Sequence, residues 1–356
     1  MNITYKNEKY SLNHLDDLVN QAPFFESGVF FIYQWFSDTD IFSFKSSGST
    51  GVAKTIAISR NQILKSIVLT ENALKLKKTD RALVCLAPEY VATKMMLARC
   101  LVLDMDILLV APSSNPLEDL SKNEQINFVS FVPMQVQQII DSGYSERLSK
   151  INNVLIGGAH VSDALEETLK LFQNNIYHTY GMTETVSHIA LRKLSDGGNS
   201  RYFKCLEGIQ ITTNIDGCLI IKGSITNDEQ VVTKDLVEIK NENQFIWQGR
   251  QDNLVNSGGV KIIPEQIESL LKTIFKEAEI TNEFFISGIQ DSKLGQKLIL
   301  VLEGTPPQSD HENLIKTSIK KAFSKYHVPK QTIYLEQFKR TNSGKVKRGE
   351  TLKYIK

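Results

Sequence analysis

The amino-acid sequence predicts an α/β fold: a large N-terminal domain of helix-covered sheets with a β-rich subdomain, followed by a small α+β C-terminal domain. Three observations predict it. From about residue 46 to Leu171, short apolar runs alternate with helical patterns, as expected of a mostly parallel sheet covered by helices. Beyond residue 200, short strands are separated by Asn, Asp and Gly, as in an antiparallel meander. At 356 residues the chain also exceeds what one hydrophobic core usually covers, so two domains are expected.

Each element has its own signal. Residues 40–44 alternate like a strand, and Thr55-Ile56-Ala57-Ile58 reads as a second, so the loop between them bridges two strands. Ser59 is placed to N-cap a helix over residues 62–74. Residues 81–87, 106–111, 127–132 and 153–156 read as buried strands, with helices over 90–103, 135–142 and 162–173 between them. The meander comprises 208–213, 217–221, 235–240 and 244–248. After Gly249-Arg250 come a helix over 264–275, strands over 283–289 and 297–303, a helix over 311–326 and a basic tail. Domains of 1–249 and 254–356 joined by a hinge at 250–253 are therefore expected, without internal repeats.

A composition of 41% hydrophobic and 23% charged residues is ordinary for a folded soluble protein, and a net charge of +1 gives no global attraction to nucleic acid or anionic membrane. Cys85, Cys100, Cys205 and Cys218 form no C-x-x-C pair and read as free thiols in the core. The first residues carry no apolar signal-peptide core, and the apolar region 82–110 is broken by Glu89, Lys94, Arg99, Asp104 and Asp106. A cytoplasmic protein is expected, with no nucleic-acid or membrane partner; homo-oligomerisation stays open.

Four strings carry chemistry. Ser46-Ser47-Gly48-Ser49-Thr50-Gly51-Val52-Ala53-Lys54 packs glycines, hydroxyls and a lysine as a phosphate-holding loop does, although a plain surface loop has the same composition. It is not a Walker A loop, because Lys54 stands three residues past Gly51 and a strand pattern follows. Tyr177-His178-Thr179-Tyr180-Gly181-Met182-Thr183-Glu184-Thr185 offers an aromatic face, hydroxyls and one carboxylate able to hold Mg²⁺; a simple turn is the alternative. The stretch from Trp247 to Ile262, with Gly249, Arg250, Asp252 and the pair Gly258-Gly259, suits a hinge followed by a narrow backbone passage, and equally a linker with two turns. Lys339-Arg340-Thr341-Asn342-Ser343-Gly344-Lys345-Val346-Lys347-Arg348 is a basic, glycine-containing segment that could be only a solvated tail.

In this order and spacing, the strings resemble the adenylate-forming superfamily of acyl-CoA synthetases, luciferases and peptide-synthetase adenylation domains. The resemblance also includes Thr233-Lys234-Asp235 and the Gly157-Gly158-Ala159 turn, and spans residues 45–348. It implies ATP, Mg²⁺ and coenzyme A as reactants. By this likeness Ser46, Ser47, Gly48, Ser49, Thr50, Gly51 and Lys54 hold the β- and γ-phosphates, and Gly158 and Ala159 lie beside the adenine. Tyr180 and Gly181 form the adenine face, while Thr183 and Glu184 serve phosphate and metal. Asp235 and Arg250 bind ribose hydroxyls, Lys345 is the catalytic lysine, Asp252 is the pivot of a mobile C-terminal domain, and Gly258 and Gly259 line a CoA channel. Two departures stand out: Asn253 where a second aspartate is common, and Lys339 where proline is.

Within the superfamily, Tyr90 to Arg99 together with Met182 to His188 is similar to o-succinylbenzoate–CoA ligases of menaquinone synthesis, particularly short bacterial forms. Such a dicarboxylic acid wants a fixed cation, and Arg99 is the candidate, with Tyr90 and Ser187 beside it; a surface helix charge is the alternative for Arg99. Lys94 lies about 140° from Arg99 around the helix axis and cannot share its face. The expected activity is an acid–thiol ligase, AMP-forming. Another aryl- or acyl-acid adenylating enzyme, delivering to CoA or to a carrier protein, and a non-catalytic nucleotide-binding module are the competing readings.

Overall fold

The computed structural model describes residues 1–45, 54–198, 200–306, 309–340 and 346–355. The proposed phosphate-loop residues Ser46, Ser47, Gly48, Ser49, Thr50 and Gly51, and the proposed catalytic Lys345, lie outside the described residues. Mixed α/β architecture is present as expected.

The larger sheet runs in the order Gln210–Thr213, Cys218–Lys222, Val231–Asn241, Gln244–Arg250, Phe203–Cys205, His188–Lys193, Asn175–Gly181, Asn153–Ile156, Phe128–Phe131, Arg81–Val84, Asp106–Leu109, Ile3–Tyr5 and Glu8–Tyr10. Its middle, from Asn175–Gly181 to Ile3–Tyr5, is parallel. The meander strands are antiparallel and continue the same sheet through Phe203–Cys205 and His188–Lys193, rather than forming a separate one. A second sheet of Val260–Ile262, Val255–Ser257, Gly295–Glu303 and Phe284–Asp291, with Gln331–Leu335 pairing parallel to Gly295–Glu303, has its own core around Ile267, Leu271, Leu298 and Leu300.

The helix Arg60–Leu74 starts as its sequence dictates. Ser59 accepts from the Gln62 amide at 3.2 Å while the Ser59 amide donates to Gln62 Oε1 at 3.0 Å, a closed capping box. Lys75 ends the helix at φ +56°, returning its amide to Glu71. Replacing Ser59 with alanine is expected to cost about 1 kcal/mol, read as a lower denaturant midpoint at unchanged slope.

The helix Val91–Leu103 buries Thr93 and every residue from Met95 to Cys100, lying between Glu26–Phe36 and Arg60–Leu74. A helix apolar on nearly all sides is an interior helix, which is why its one arginine ends up inside. Tyr90 caps this helix rather than starting it. The helix expected over 162–173 stops at Leu169, because the carbonyls of Lys170 and Phe172 turn to accept from Gly197 and Asp196. The first 36 residues, without assigned elements in the sequence reading, supply an edge hairpin at Lys6-Asn7 and the helices Leu15–Gln21 and Glu26–Phe36. All four cysteines are free and buried. No helix among the described residues is long and apolar enough to cross a membrane.

Candidate active site

The flanks of the 46–54 loop are two strands. Ile41–Lys45 pairs antiparallel with Thr55–Ser59, ending at Lys45 opposite Thr55, so the segment joins two paired strands. Lys45 also bridges Tyr90 at the start of the interior helix. The ends of the loop thus sit beside the candidate acyl-pocket segment, and Lys54 is exposed.

The C-terminal ends of adjacent parallel strands carry the next groups, the usual place for ligands in open α/β sheets. At the end of Asn153–Ile156, Gly157-Gly158-Ala159 turns with Gly158 at φ +81°, which favours glycine, and a Cβ on Gly157 would meet Thr179 Oγ1 at 2.6 Å. Next to it, Asn175–Gly181 leads into a short 3₁₀ turn at Thr183–Thr185. Gly181 has no room for a side chain: a Cβ would lie 2.2 Å from the Ser187 carbonyl oxygen. Thr183 and Thr185 are buried and Glu184 is exposed. Thr185 ties the turn together, its hydroxyl donating within reach of the Met182 and Ser187 carbonyls at 3.0 and 2.9 Å. Val186 follows at φ +66°, ψ −45°, a conformation costly for a β-branched residue, with the Ser187 amide donating to the Thr185 carbonyl at 2.6 Å. Among the described residues no group of three or more His, Cys, Asp or Glu could hold a metal by itself. One exposed carboxylate does fit Mg²⁺ arriving on phosphate oxygens, since that ion is held by few protein ligands and keeps others from substrate and water.

Asp235 is the hub of a second cluster. The strand Val231–Asn241 pairs with Gln244–Arg250 so that Asp235 faces Arg250. Asp235 accepts from Tyr180 Oη at 2.7 Å, Trp247 Nε1 at 3.1 Å and Arg250 Nη1 at 3.4 Å. Tyr180 packs edge-on to Phe245 at 5.0 Å and against Phe203 at 5.8 Å, so much of its ring is occupied by protein. Burial, and then Asp235, push its phenol well above the usual range, so it stays a donor. Asp252 accepts from Lys234 at 2.7 Å and Arg250 at 3.2 Å. Burial acts to raise the Asp252 carboxyl, but these two cations outweigh it and leave it below the ordinary value. The structure thus gathers Tyr180, Asp235, Arg250 and Asp252 into one hydrogen-bonded group. Gly249 lets the helix Pro264–Glu277 pack close, since a Cβ there would meet Ile263 and Glu265 within 2.6 Å. Gly258 and Gly259, at φ +60° and +82°, form the two-residue turn of a hairpin between Ser257 and Val260, which accounts for both glycines conformationally.

Arg99 is 2% exposed, against the surface alternative. Its Nη2 donates to Thr70 Oγ1 at 3.3 Å and Ser187 Oγ at 3.1 Å, while Nε is enclosed without an acceptor. No carboxylate among the described residues forms an ion pair with it, and burial lowers it only to about 10, so it remains a cation at neutral pH. Lys94 points elsewhere, donating to the Ser43 carbonyl at 3.1 Å. Tyr90 is partly exposed.

Sequence reasoning gave no role to Thr70, His178, His188 or Trp247. Thr70 had a legible signal: with Ser66 it is polar on the helix stripe Ile63, Ile67, Leu74 that faces the core. His188 and His178 lie on inward positions of neighbouring strands, and burial first, with Arg99 and Arg192 respectively next, pushes each down to about 3. Both imidazoles are therefore neutral in the folded state. Because the unfolded chain binds these protons from about pH 6.5 downward and the folded chain does not, stability falls as pH drops through that window. Each histidine is expected to remove about 2 kcal/mol between pH 7 and pH 5, and a His188→Gln variant should show a shallower loss of melting temperature over that range.

The AMP-binding enzyme family matches residues 41–205. A solved chain from Dyadobacter fermentans DSM 18053, described as an acyl-CoA synthetase (AMP-forming)/AMP-acid ligase II-like protein, is 38% identical, with 94% of this chain and 95% of that one covered and a TM-score of 0.61. The chain belongs to the AMP-binding enzyme family. As a member it is an AMP-forming ligase of the acyl-CoA synthetase type. A 2-succinylbenzoate–CoA ligase of Staphylococcus epidermidis (strain ATCC 12228) is 25% identical over 96% of this chain and 74% of its own length. Another, from Bacillus mycoides, is 27% identical over 87% and 69%. The o-succinylbenzoate CoA synthetase of Bacillus subtilis, solved with the acyl-adenylate intermediate OSB-AMP, superposes with a TM-score of 0.72 at 22% identity, over 86% of this chain and 68% of that one. These AMP-binding enzymes share the fold described above.

Proposed function

We propose that this AMP-binding enzyme is a 2-succinylbenzoate–CoA ligase. In the first half-reaction a carboxylate oxygen attacks the α-phosphorus of ATP, forming acyl-AMP and releasing pyrophosphate. In the second, the CoA thiol attacks the acyl carbon, forming the thioester and releasing AMP; the thiol proton passes to solvent or base. The single observation that carries the acid assignment is Arg99, a buried cation whose partners among the described residues are neutral hydroxyls. Burying a charge without a counter-ion is costly, and a ligand carboxylate is the partner that would offset it.

The other roles follow from chemistry. Bringing a carboxylate to a triphosphate joins two anions and builds charge on the equatorial oxygens, so cations matter more than a base. Lys345 would supply the fixed charge, and Mg²⁺ carried on the nucleotide and held by Glu184 would neutralise phosphate oxygens. Ser46 to Gly51 and Lys54 would hold the leaving pyrophosphate. Asp235, fixed by Tyr180, Trp247 and Arg250, would accept from ribose hydroxyls beside Gly158 and Ala159. Rotation at Asp252 would bring the Gly258-Gly259 turn to the thiol.

The test is direct. ATP, CoA and 2-succinylbenzoate are supplied together and the thioester is detected by mass; no product from this acid, with product from another, rejects the substrate and spares the ligase. The Dyadobacter relative's description leaves the acid open, so a panel of aryl and acyl acids, and a carrier-protein thiol beside CoA, completes the comparison.

A further inference from the structure

Three groups close a ring with the Arg99 guanidinium: Thr70 and His188, both buried, and Ser187, partly buried. Thr70 is 0% and His188 6% exposed. Arg99 Nη2 reaches both hydroxyls, and the same two hydroxyls lie on the two nitrogens of His188, Thr70 Oγ1 at 3.3 Å from Nε2 and Ser187 Oγ at 3.4 Å from Nδ1. Thr70 Oγ1 also lies 3.0 Å from the Ser66 carbonyl, an acceptor only, so its single proton goes there.

The remaining protons then have one consistent arrangement. With its proton committed to Ser66, Thr70 Oγ1 must accept from both Arg99 and His188, which requires the Nε2–H tautomer. A neutral imidazole protonated at Nε2 has its lone pair on Nδ1, so Ser187 donates its proton to Nδ1 and turns a lone pair to Arg99. Every hydrogen bond in the ring is then made with a donor and an acceptor. The imidazole bears the fixed neutral form because burial and the adjacent guanidinium oppose a second proton.

We propose that His188, with Thr70, is a positioning residue that aims two hydroxyl lone pairs at Arg99 and so holds an un-neutralised guanidinium ready for the remote carboxylate of a dicarboxylic acid. This rests on the reading of Arg99 given under Proposed function, and deepens it by assigning how the cation is held. Neutral acceptors orient the guanidinium without cancelling its charge; an aspartate in their place would have satisfied Arg99 and removed its attraction for a ligand. Ser187 stands in the same turn as Glu184, so the residues that would meet the phosphate-borne metal and the far end of the acid are fixed by one short segment, braced by the Thr185 hydroxyl and by Val186 at positive φ.

The experiment compares full-length wild type, His188→Leu, His188→Gln, Thr70→Val and Arg99→Met by acid-dependent ATP–pyrophosphate exchange. The acids are 2-succinylbenzoate and its two singly deleted analogues, 3-benzoylpropanoate and 2-butanoylbenzoate. The readout is the ratio of kcat/KM for the diacid to that for the better monoacid. His188→Leu and Thr70→Val are expected to lower this ratio about tenfold, mainly through KM for the diacid, and His188→Gln, which keeps one donor and one acceptor, to restore most of it. Equal losses on diacid and monoacid would show a merely structural role and overturn the proposal while leaving Arg99 as the receptor. An unchanged ratio in Arg99→Met, or none in wild type, would overturn the reading of Arg99 itself. ¹⁵N spectra of the imidazoles give an answer free of substrate: His188 is expected as the Nε2–H tautomer at pH 7, and finding Nδ1–H would sink the assigned hydroxyl orientation.

Discussion

Replacing Lys345 with alanine is expected to slow acid-dependent pyrophosphate release by about 10² to 10³, while ATP still binds and the melting temperature stays within a few degrees of wild type. The magnitude is that of removing one preorganised charge from a site where charge develops, about 3 to 4 kcal/mol. The selectivity of the loss comes from when the charge is needed. With the roles proposed above, ground-state ATP would be held by the loop at 46–54, the metal and the Asp235 group, whereas the approaching carboxylate would have only fixed cations to offset its repulsion from the α-phosphate. The defect should therefore appear in kcat far more than in the dissociation constant for ATP. A chemically prepared acyl-adenylate should still be converted to thioester by the variant, because that step has a neutralised electrophile and a thiol as partner. A variant that released pyrophosphate at the wild-type rate would remove Lys345 from the chemistry.

The parts of this protein legible in its sequence are those set by local rules. The Ser59–Gln62 capping box is written in four consecutive residues, and the helix begins where they say. The run Val154–Ile156 reads as a buried strand because nothing polar interrupts it. The loop at 46–54 reads as a strand-to-strand connection from its flanks alone, and Lys45 does pair opposite Thr55. What escaped depends on contacts distant in sequence. That the meander joins the parallel sheet is decided by Phe203–Cys205 pairing with Gln244–Arg250 on one side and His188–Lys193 on the other, and two short strands give little periodicity to read. The first 36 residues owe their place to an edge pairing of Ile3 with Ile107 and to aromatic packing of Phe31 on Phe42 and Phe44. In the site, Arg99 was visible as a residue and Thr70 as a polar interruption of an apolar stripe. Their meeting through His188, across separations of 29 and 118 residues, is a property of the packed helices and strand.

Substituting methionine for Arg99 should separate stability from function in opposite directions. The guanidinium is enclosed, has a partnerless Nε and has no counter-ion among the described residues, so the fold carries its desolvation without an ion pair to offset it. Methionine fills a similar volume, is flexible enough to adapt, and removes the buried charge. Unfolding free energy is accordingly expected to stay level or rise, by about 1 to 4 kcal/mol, the range seen when buried charges give way to apolar side chains. Activation of the dicarboxylic acid should meanwhile fall about 10²-fold in kcat/KM, as expected from losing a charge-assisted, desolvated contact of about 3 kcal/mol. Monocarboxylic acids should gain relative to the diacid, because the variant pocket no longer holds a charge that only the diacid can meet. Denaturant melts and pyrophosphate exchange on the same preparations check both halves. A variant that lost stability by several kcal/mol would mean that Arg99 is anchored by the fold itself, and its hydroxyl ring would then be scaffold rather than receptor. Higher stability together with lost diacid selectivity would instead identify Arg99 as a site where the protein keeps a destabilising charge for the sake of its substrate.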